Sequence, residues 1–191
     1  MIYTVSDLHG CLEDWQTLLD TIHFSDQDTM FVLGDCVDLG PDPIGLLHDM
    51  MERPNVFPTL GNHELSFVRS VQTLPPEATA DNFMDYLTDD ARAQLAKWAS
   101  DGGQRTLMQY LALDEYSPAD FLNANPTPGM EYFSDRTVIV GHTPTYLLRG
   151  GKAGHILDDG GIIYIDCGAA HKDIGGRVGC LRLDDFEEFY V

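Results

Sequence analysis

Positive charge is scarce in this sequence: 11 Lys and Arg stand against 31 Asp and Glu in 191 residues, a formal net charge of -20. A surface this acidic repels phosphate backbones and anionic lipid, so general binding to nucleic acid or to a membrane is disfavoured, and an anionic substrate needs metal ions to bring it in. Long apolar runs are lacking as well. No stretch reaches the roughly 20 residues of a spanning helix, and the opening MIYTVSDLHG has no basic segment followed by an apolar one, so the expected location is the cytoplasm. Cysteine is thin, too. Cys11, Cys36, Cys167 and Cys180 lie far apart with no Cys-x-x-Cys pair, which argues against a disulfide scaffold or a zinc knuckle and for reduced, buried thiols. Repeats, low-complexity tracts and disordered linkers are also missing. With 43% hydrophobic residues the chain has enough apolar surface for a full core, and its length suits a single domain over 1–191.

What is present is a recurring unit: a short apolar, β-prone run followed by a polar turn that contains glycine. Met1–Val5 leads into Ser6-Asp7-Leu8-His9-Gly10, Thr29–Leu33 into Gly34-Asp35-Cys36-Val37-Asp38, and Val56–Leu60 into Gly61-Asn62-His63-Glu64. Later, Thr137–Val140 leads into Gly141-His142-Thr143, and Ile162–Ile165 into Asp166-Cys167-Gly168. Each run reads as a buried strand. Between the first strands, Leu12, Trp15, Leu18, Leu19 and Ile22 share one helical face, and Ile44, Leu47 and Met51 share another after Pro43. This order predicts an α/β layered fold, with Val178–Leu183 and Phe186–Val191 as a closing hairpin. The segment at about 82–112 reads as a small helical insert: one helix over Asn82–Ala99, a stop at Gly102-Gly103, then a second helix over Gln104 to about Leu111, with Met108, Tyr110 and Leu111 as core.

Ligands of an open α/β sheet collect beyond the carboxyl ends of its strands, where the polar turns lie. Those turns bring Asp7, His9, Asp35, Asp38, Asn62, His63 and His142 towards one place. Carboxylate oxygens and imidazole nitrogens without thiolate suit Mn, Fe or Zn. The donors are too many for one ion. Two metals at roughly 3.5–4 Å sharing a carboxylate would neutralise a phosphoryl group on both its attacking and leaving sides.

At Asp7-Leu8-His9-Gly10, Gly34-Asp35-Cys36-Val37-Asp38, Gly61-Asn62-His63-Glu64 and Gly141-His142-Thr143-Pro144 the sequence resembles the calcineurin-like metallophosphoesterases, and among them the bacterial and phage type of serine/threonine phosphoprotein phosphatase. The resemblance implies a β-sandwich flanked by helices (α/β/β/α) that carries a binuclear centre, with Mn the expected metal and Fe or Zn the alternatives. It also implies that Asp7 and His9 hold the first metal, that Asp35 bridges, and that Asn62 and His142 hold the second. A hydroxide activated by the two metals would attack phosphorus, His63 would protonate the leaving oxygen, and Asp38 would fix the imidazole; the last two roles also follow from elementary acid-base chemistry.

Two departures stand out. Leu39 occupies the place where the family usually has a phosphate-clamping arginine, and no histidine lies between His63 and His142 to complete the second metal's ligands. The second ion is then weak, exchangeable or missing, and the gap falls near Leu111–Leu113. Arg177, after Gly175-Gly176, is a candidate substrate-phosphate contact, with a surface arginine beside a turn as the alternative. The leading expectation is a phosphoprotein phosphatase acting on phosphoserine, phosphothreonine or phosphotyrosine. The alternatives are a hydrolase of dinucleoside polyphosphates or other small phosphoesters, and a non-catalytic domain that binds metal or phosphate. Oligomeric state is left open.

Overall fold

The computed structural model describes residues 1–72, 74–75, 77–112, 138–158 and 162–191. Strand β1 (Ile2–Val5), helix α1 (Leu12–Thr21), β2 (Thr29–Val32), α2 (Pro43–Met51), β3 (Val56–Pro58) and α3 (Asn62–Val71) alternate through the first third of the chain. Helices α4 (Asp89–Trp98) and α5 (Gln104–Tyr110) follow, then β4 (Val138–Val140), β5 (Leu157–Asp158), β6 (Ile162–Tyr164), β7 (Gly179–Arg182) and β8 (Glu188–Tyr190). The larger sheet has the order β3-β2-β1-β7-β8 and the smaller one β4-β6-β5. The first three strands are parallel, with Val5 opposite Val32 and Val32 opposite Pro58, so all three end on one edge. Likewise β4 and β6 run parallel, with Val140 opposite Tyr164. The closing hairpin forms as expected: β7 pairs antiparallel with β1 and with β8. This is the mixed α/β architecture expected from the sequence, with sheets flanked by helices.

Alternation along the larger sheet sends Tyr3, Val5, Met30, Val32 and Val56 into the main core, which all five α-helices join. Trp15 is fully buried there, and its indole N–H donates to Asp49 Oδ2 at 2.7 Å, tying α1 to α2. A smaller core of Ile163, Ile165 and Leu181, with Leu33 and Ile139 against it, joins the two sheets. All four cysteines are buried free thiols.

Several expectations need correction. The Gly61-Asn62-His63-Glu64 block opens helix α3 rather than forming a polar turn alone. In α2 the inward face carries Leu46 and Met50 beside Ile44 and Leu47, while Met51 is exposed. The single helix expected over Asn82–Ala99 is broken: a 3-10 turn at Phe83–Tyr86 ends at extended Leu87, and Thr88 then caps α4 by accepting from the Ala91 N–H at 3.3 Å. Leu87 is buried, so the break seats an apolar side chain that a continuous helix would carry elsewhere. Helices α4 and α5 join through a wide turn at Ala99–Gly103, where Gly102 takes φ 107°, a backbone state open to glycine. Met108 is exposed, whereas Leu111 is core. Of the gap expected near Leu111–Leu113, Leu111 and Ala112 are described, while Leu113 and the stretch after it to 137 lie outside the described residues.

Candidate metal centre

The loops after β1 and β2 continue side by side beyond the sheet. Backbone N–H groups of His9 and Gly10 donate to the carbonyls of Asp35 and Cys36 at 2.9 and 2.6 Å. Along these loops the backbone is left-handed at Asp7 (φ 53°), His9 (43°), Asp35 (51°) and Asp38 (69°), and again at His142 (75°). Each such residue costs about 1 kcal/mol or more, so surrounding structure must hold it. Glu64 supplies much of that hold. Its buried carboxylate accepts from the N–H groups of Asp35 (2.8 Å), Cys36 (2.7 Å), Val37 (2.9 Å) and Gly61 (2.8 Å). Burial pushes its pKa up, and the N–H donors oppose that shift.

Two glycines admit the carboxylates. A Cβ on Gly61 would collide with Asp35 Oδ1, and one on Gly141 with Asp7 Oδ2. Asp35 Oδ1 also accepts from the His63 N–H at 3.1 Å, and Asp7 accepts from the His142 N–H at 3.1 and 2.9 Å. The last contact joins the ends of β1 and β4, and hence the two sheets.

His9, Asp35 and His63 each bring one donor atom within 4.8 Å of the others. His9 Nδ1 lies 3.0 Å from the Val37 carbonyl, which can only accept, so Nδ1 carries the proton and Nε2 keeps a free lone pair. Burial also lowers the pKa of His9, which favours the neutral, ligating form. Asp7 is 2% exposed; burial first and the neighbouring charge of Asp166 second push its pKa up to about 8. The charge that is costly to bury here is negative, and a divalent cation among oxygen and imidazole donors is what relieves it, so this donor set fits the metals expected from sequence.

His63 differs from the other imidazoles. Its Nδ1 donates to Asp38 Oδ2 at 2.8 Å, and that hydrogen bond, the largest influence, raises its pKa. Asp38 is 0% exposed, and the helical segment reaches it. Trp98 Nε1 donates to the same Oδ2 at 2.7 Å, and Thr106 Oγ1 donates to Oδ1 at 2.6 Å while accepting from the Asp38 N–H at 3.0 Å. Neither Trp98 nor Thr106 carries a sequence signal for this role, because each stands 60 or more positions from Asp38.

Of the other expected residues, Asn62 is exposed at the start of α3, and the largely exposed His142 side chain places Nδ1 3.5 Å from Asp35 Oδ2. Arg177 is engaged elsewhere: Nε and Nη2 donate to the Gly154 carbonyl at 3.1 and 2.7 Å, and its guanidinium stacks 4.5 Å from the Tyr190 ring centroid. The structure therefore does not bring Arg177 into the cluster. It adds Asp166, 3% exposed at the end of β6, whose Oδ1 accepts from the Gly168 N–H at 2.9 Å. Its neighbours include Asp7, Asp35 and His142.

The model of the calcineurin-like phosphoesterases matches residues 1–171. The chain belongs to this family. Among curated relatives, a symmetrical bis(5'-nucleosyl)-tetraphosphatase of Pseudomonas syringae pv. syringae (strain B728a) is 32% identical over 111 residues, 57% of this chain and 37% of that protein. One from Nitrosococcus oceani is 33% identical over 101 residues, 51% of this chain and 36% of that protein. The chain thus matches little more than a third of these relatives' length. A solved structure provisionally described as a diadenosine tetraphosphatase superposes with a TM-score of 0.59 at 18% identity, covering 100% of this chain and 92% of that one, a likeness of fold.

Glu64→Ala would leave four N–H groups without their acceptor, at about 1–3 kcal/mol for each buried one. The expected loss is at least about 3 kcal/mol, read from urea midpoints, with Glu64→Gln losing less because it keeps one acceptor oxygen. The Asp7 shift sets a pH dependence. A carboxyl whose folded pKa lies above its unfolded value of 3.8 favours folding below that value and loses the benefit as pH rises through about 8. In chelator, the melting temperature is therefore expected to fall from pH 6.5 to about 9. Asp7→Asn flattens the slope and Mn²⁺ removes it.

Proposed function

We propose that this phosphoesterase hydrolyses dinucleoside polyphosphates, using divalent ions held by Asp7, His9, Asp35, Asn62 and His142, with His63 as the acid and Asp38 as its partner. Mn is the favoured metal, with Fe and Zn as alternatives, and an ion on the Asn62 and His142 side is the weaker bound. The observation that carries the hydrolytic reading is the His63–Asp38 pair set against the donors of His9 and Asp35. A domain that only bound metal would have no need of a buried carboxylate that raises a histidine's pKa.

The bound ions would supply positive charge on the phosphoryl oxygens and an acidified water. The protein does the rest. With Nδ1–H held on Asp38, His63 has the Nε2–H left to give to the leaving oxygen. Trp98 and Thr106 hold the Asp38 carboxylate in a single orientation, which fixes the imidazole plane. Both are positioning residues. Burial favours the neutral form of His9, and the Val37 carbonyl holds its proton on Nδ1, so that Nε2 is offered.

The substrate class is supported by what the curated relatives are named for. A phosphoprotein substrate is the second reading, and the acid pair is what favours it. Serine leaves as a strongly basic alkoxide and needs the His63 proton, whereas a nucleotide phosphate has a second pKa of about 6 and leaves with little help. On an anhydride, the imidazolium would act mainly by its charge.

Wild-type chain with Mn²⁺ is expected to show a higher kcat/KM on diadenosine tetraphosphate than on a phosphoserine peptide, and the opposite order would overturn the substrate assignment. His63→Asn should cost about tenfold on the tetraphosphate, where only electrostatic help is lost, and about 10²–10⁴-fold on the peptide, where proton transfer is lost. Asp35→Asn should remove bound Mn²⁺, counted by elemental analysis, together with turnover of both substrates. Retention of metal and activity would show that Asp35 is not a ligand.

A further inference from the structure

A cavity of about 390 Å³ opens beside the centre and plays no part in holding the metal donors. It lies between the loop after β1 and the loop after β2, with the first turn of α5 and the segment at 169–172 across it. Its walls belong to the same loops as the cluster. Leu39 directly follows Asp38, the Gly40 backbone packs so closely on the His9 carbonyl that a Cβ there would collide with it, and Cys11 Sγ lies 3.8 Å from the carbonyls of His9 and Ala169.

The lining is divided by chemistry. Leu39, Pro41, Ala169 and Ala170 give an apolar surface, and the carboxylates of Glu13 and Asp14 line it as well. Charge sits around it. Lys172 is ion-paired with Asp14, which neutralises both. Arg105 is exposed, its guanidinium donates only to the Pro41 carbonyl at 3.3 Å, and it pairs with no carboxylate among the described residues. In a chain of net charge -20, the Arg105 guanidinium gives an anion a cationic contact beside this cavity, set against the Glu13 carboxylate that also lines it. An apolar, concave lining with a few polar groups at its edge is also how small ligands of nucleoside size are usually held.

We propose that this cavity holds the nucleoside end of the dinucleoside polyphosphate, with Arg105 pairing with a phosphate away from the one attacked and the Leu39, Pro41 and Ala170 surface taking the base. The inference rests on the substrate class assigned above and adds where its far end is bound. It makes Arg105 a specificity-determining residue: a substrate reduced to the reacting phosphoryl group and a small leaving group does not reach it.

The test compares diadenosine tetraphosphate with p-nitrophenyl phosphate in the Mn²⁺-loaded full chain, for wild type, Arg105→Ala, Arg105→Lys and the cavity-filling Ala170→Phe. Loss of one charge-assisted contact predicts a KM for the tetraphosphate about tenfold higher in Arg105→Ala, partial recovery in Arg105→Lys, and kcat/KM for p-nitrophenyl phosphate within about twofold of wild type. Ala170→Phe should reproduce the selective loss. Equal loss on both substrates, or none on either, overturns the cavity assignment while leaving the substrate class standing. If wild type does not hydrolyse the tetraphosphate at all, the substrate class fails. The cavity is then judged by titrating AMP into chelator-treated protein, where Arg105-dependent, Ala170→Phe-sensitive binding upholds it as a nucleotide site and absence of binding overturns it.

Discussion

Buried negative charge is the constraint on which this structure turns. Asp7, Asp35, Asp38, Glu64 and Asp166 are each no more than 6% exposed, and all surround the carboxyl ends of the strands. Burying carboxylates is tolerable only where donors or cations answer them. The answers differ. Glu64 takes four backbone N–H groups, and Asp38 takes an imidazole, an indole and a hydroxyl. Asp7 has a bifurcated bond from one backbone N–H and faces Asp166, and its pKa records the imbalance. The protein's own donors thus satisfy the carboxylates on the His63 side and leave charge uncompensated on the Asp7 side, which is where cation chemistry has to enter.

That division explains the backbone. Left-handed conformations at Asp7, His9, Asp35, Asp38 and His142 turn successive side chains inward from loops that would otherwise splay them. Parallel pairing of β1, β2 and β3 supplies three loops on one edge, and the His142 N–H on Asp7 draws in the smaller sheet. Gly61 and Gly141 are small because a carboxylate oxygen occupies the place of a Cβ. The Gly-Asn-His and Gly-His blocks are therefore packing statements as much as ligand statements.

This is why so much of the chain was legible. Short apolar, β-prone runs identify the strands, although Phe31 on β2 and Phe57 on β3 are exposed, and the turn chemistry after them marks the site edge, so β1 to β3, β6 and the final hairpin lie where the pattern puts them. Other features depended on tertiary packing. Helix α3 begins inside a block whose glycine and asparagine read as a turn, and its start is secured by Glu64 reaching back to Gly61. The inward face of α2 runs through Leu46 and Met50 as well as Ile44 and Leu47, which periodicity alone does not report. Trp98 and Thr106 read as insert residues; only the folded chain sets their donors on Asp38. Arg177 had suitable chemistry and a suitable turn, yet Gly154 and Tyr190 engage it.

The helical pair α4–α5 therefore does more than cover the sheet. Its first helix ends at Trp98 and its second carries Thr106, so two of the three side-chain donors on the Asp38 carboxylate come from it, while Gly102 between them accepts from the Leu39 N–H at 3.2 Å. Arg105 stands one residue before Thr106. A change that tilts α5 cannot move the cavity wall without also moving the hydroxyl that orients the carboxylate behind His63. On the proposed use of the cavity, the contact to the far end of the substrate and the support for the acid pair come from neighbouring positions on one helix. Arg105 and Leu39 line the cavity, while Trp98 and Thr106 are held by the buried carboxylate they serve and Gly102 by the Leu39 N–H.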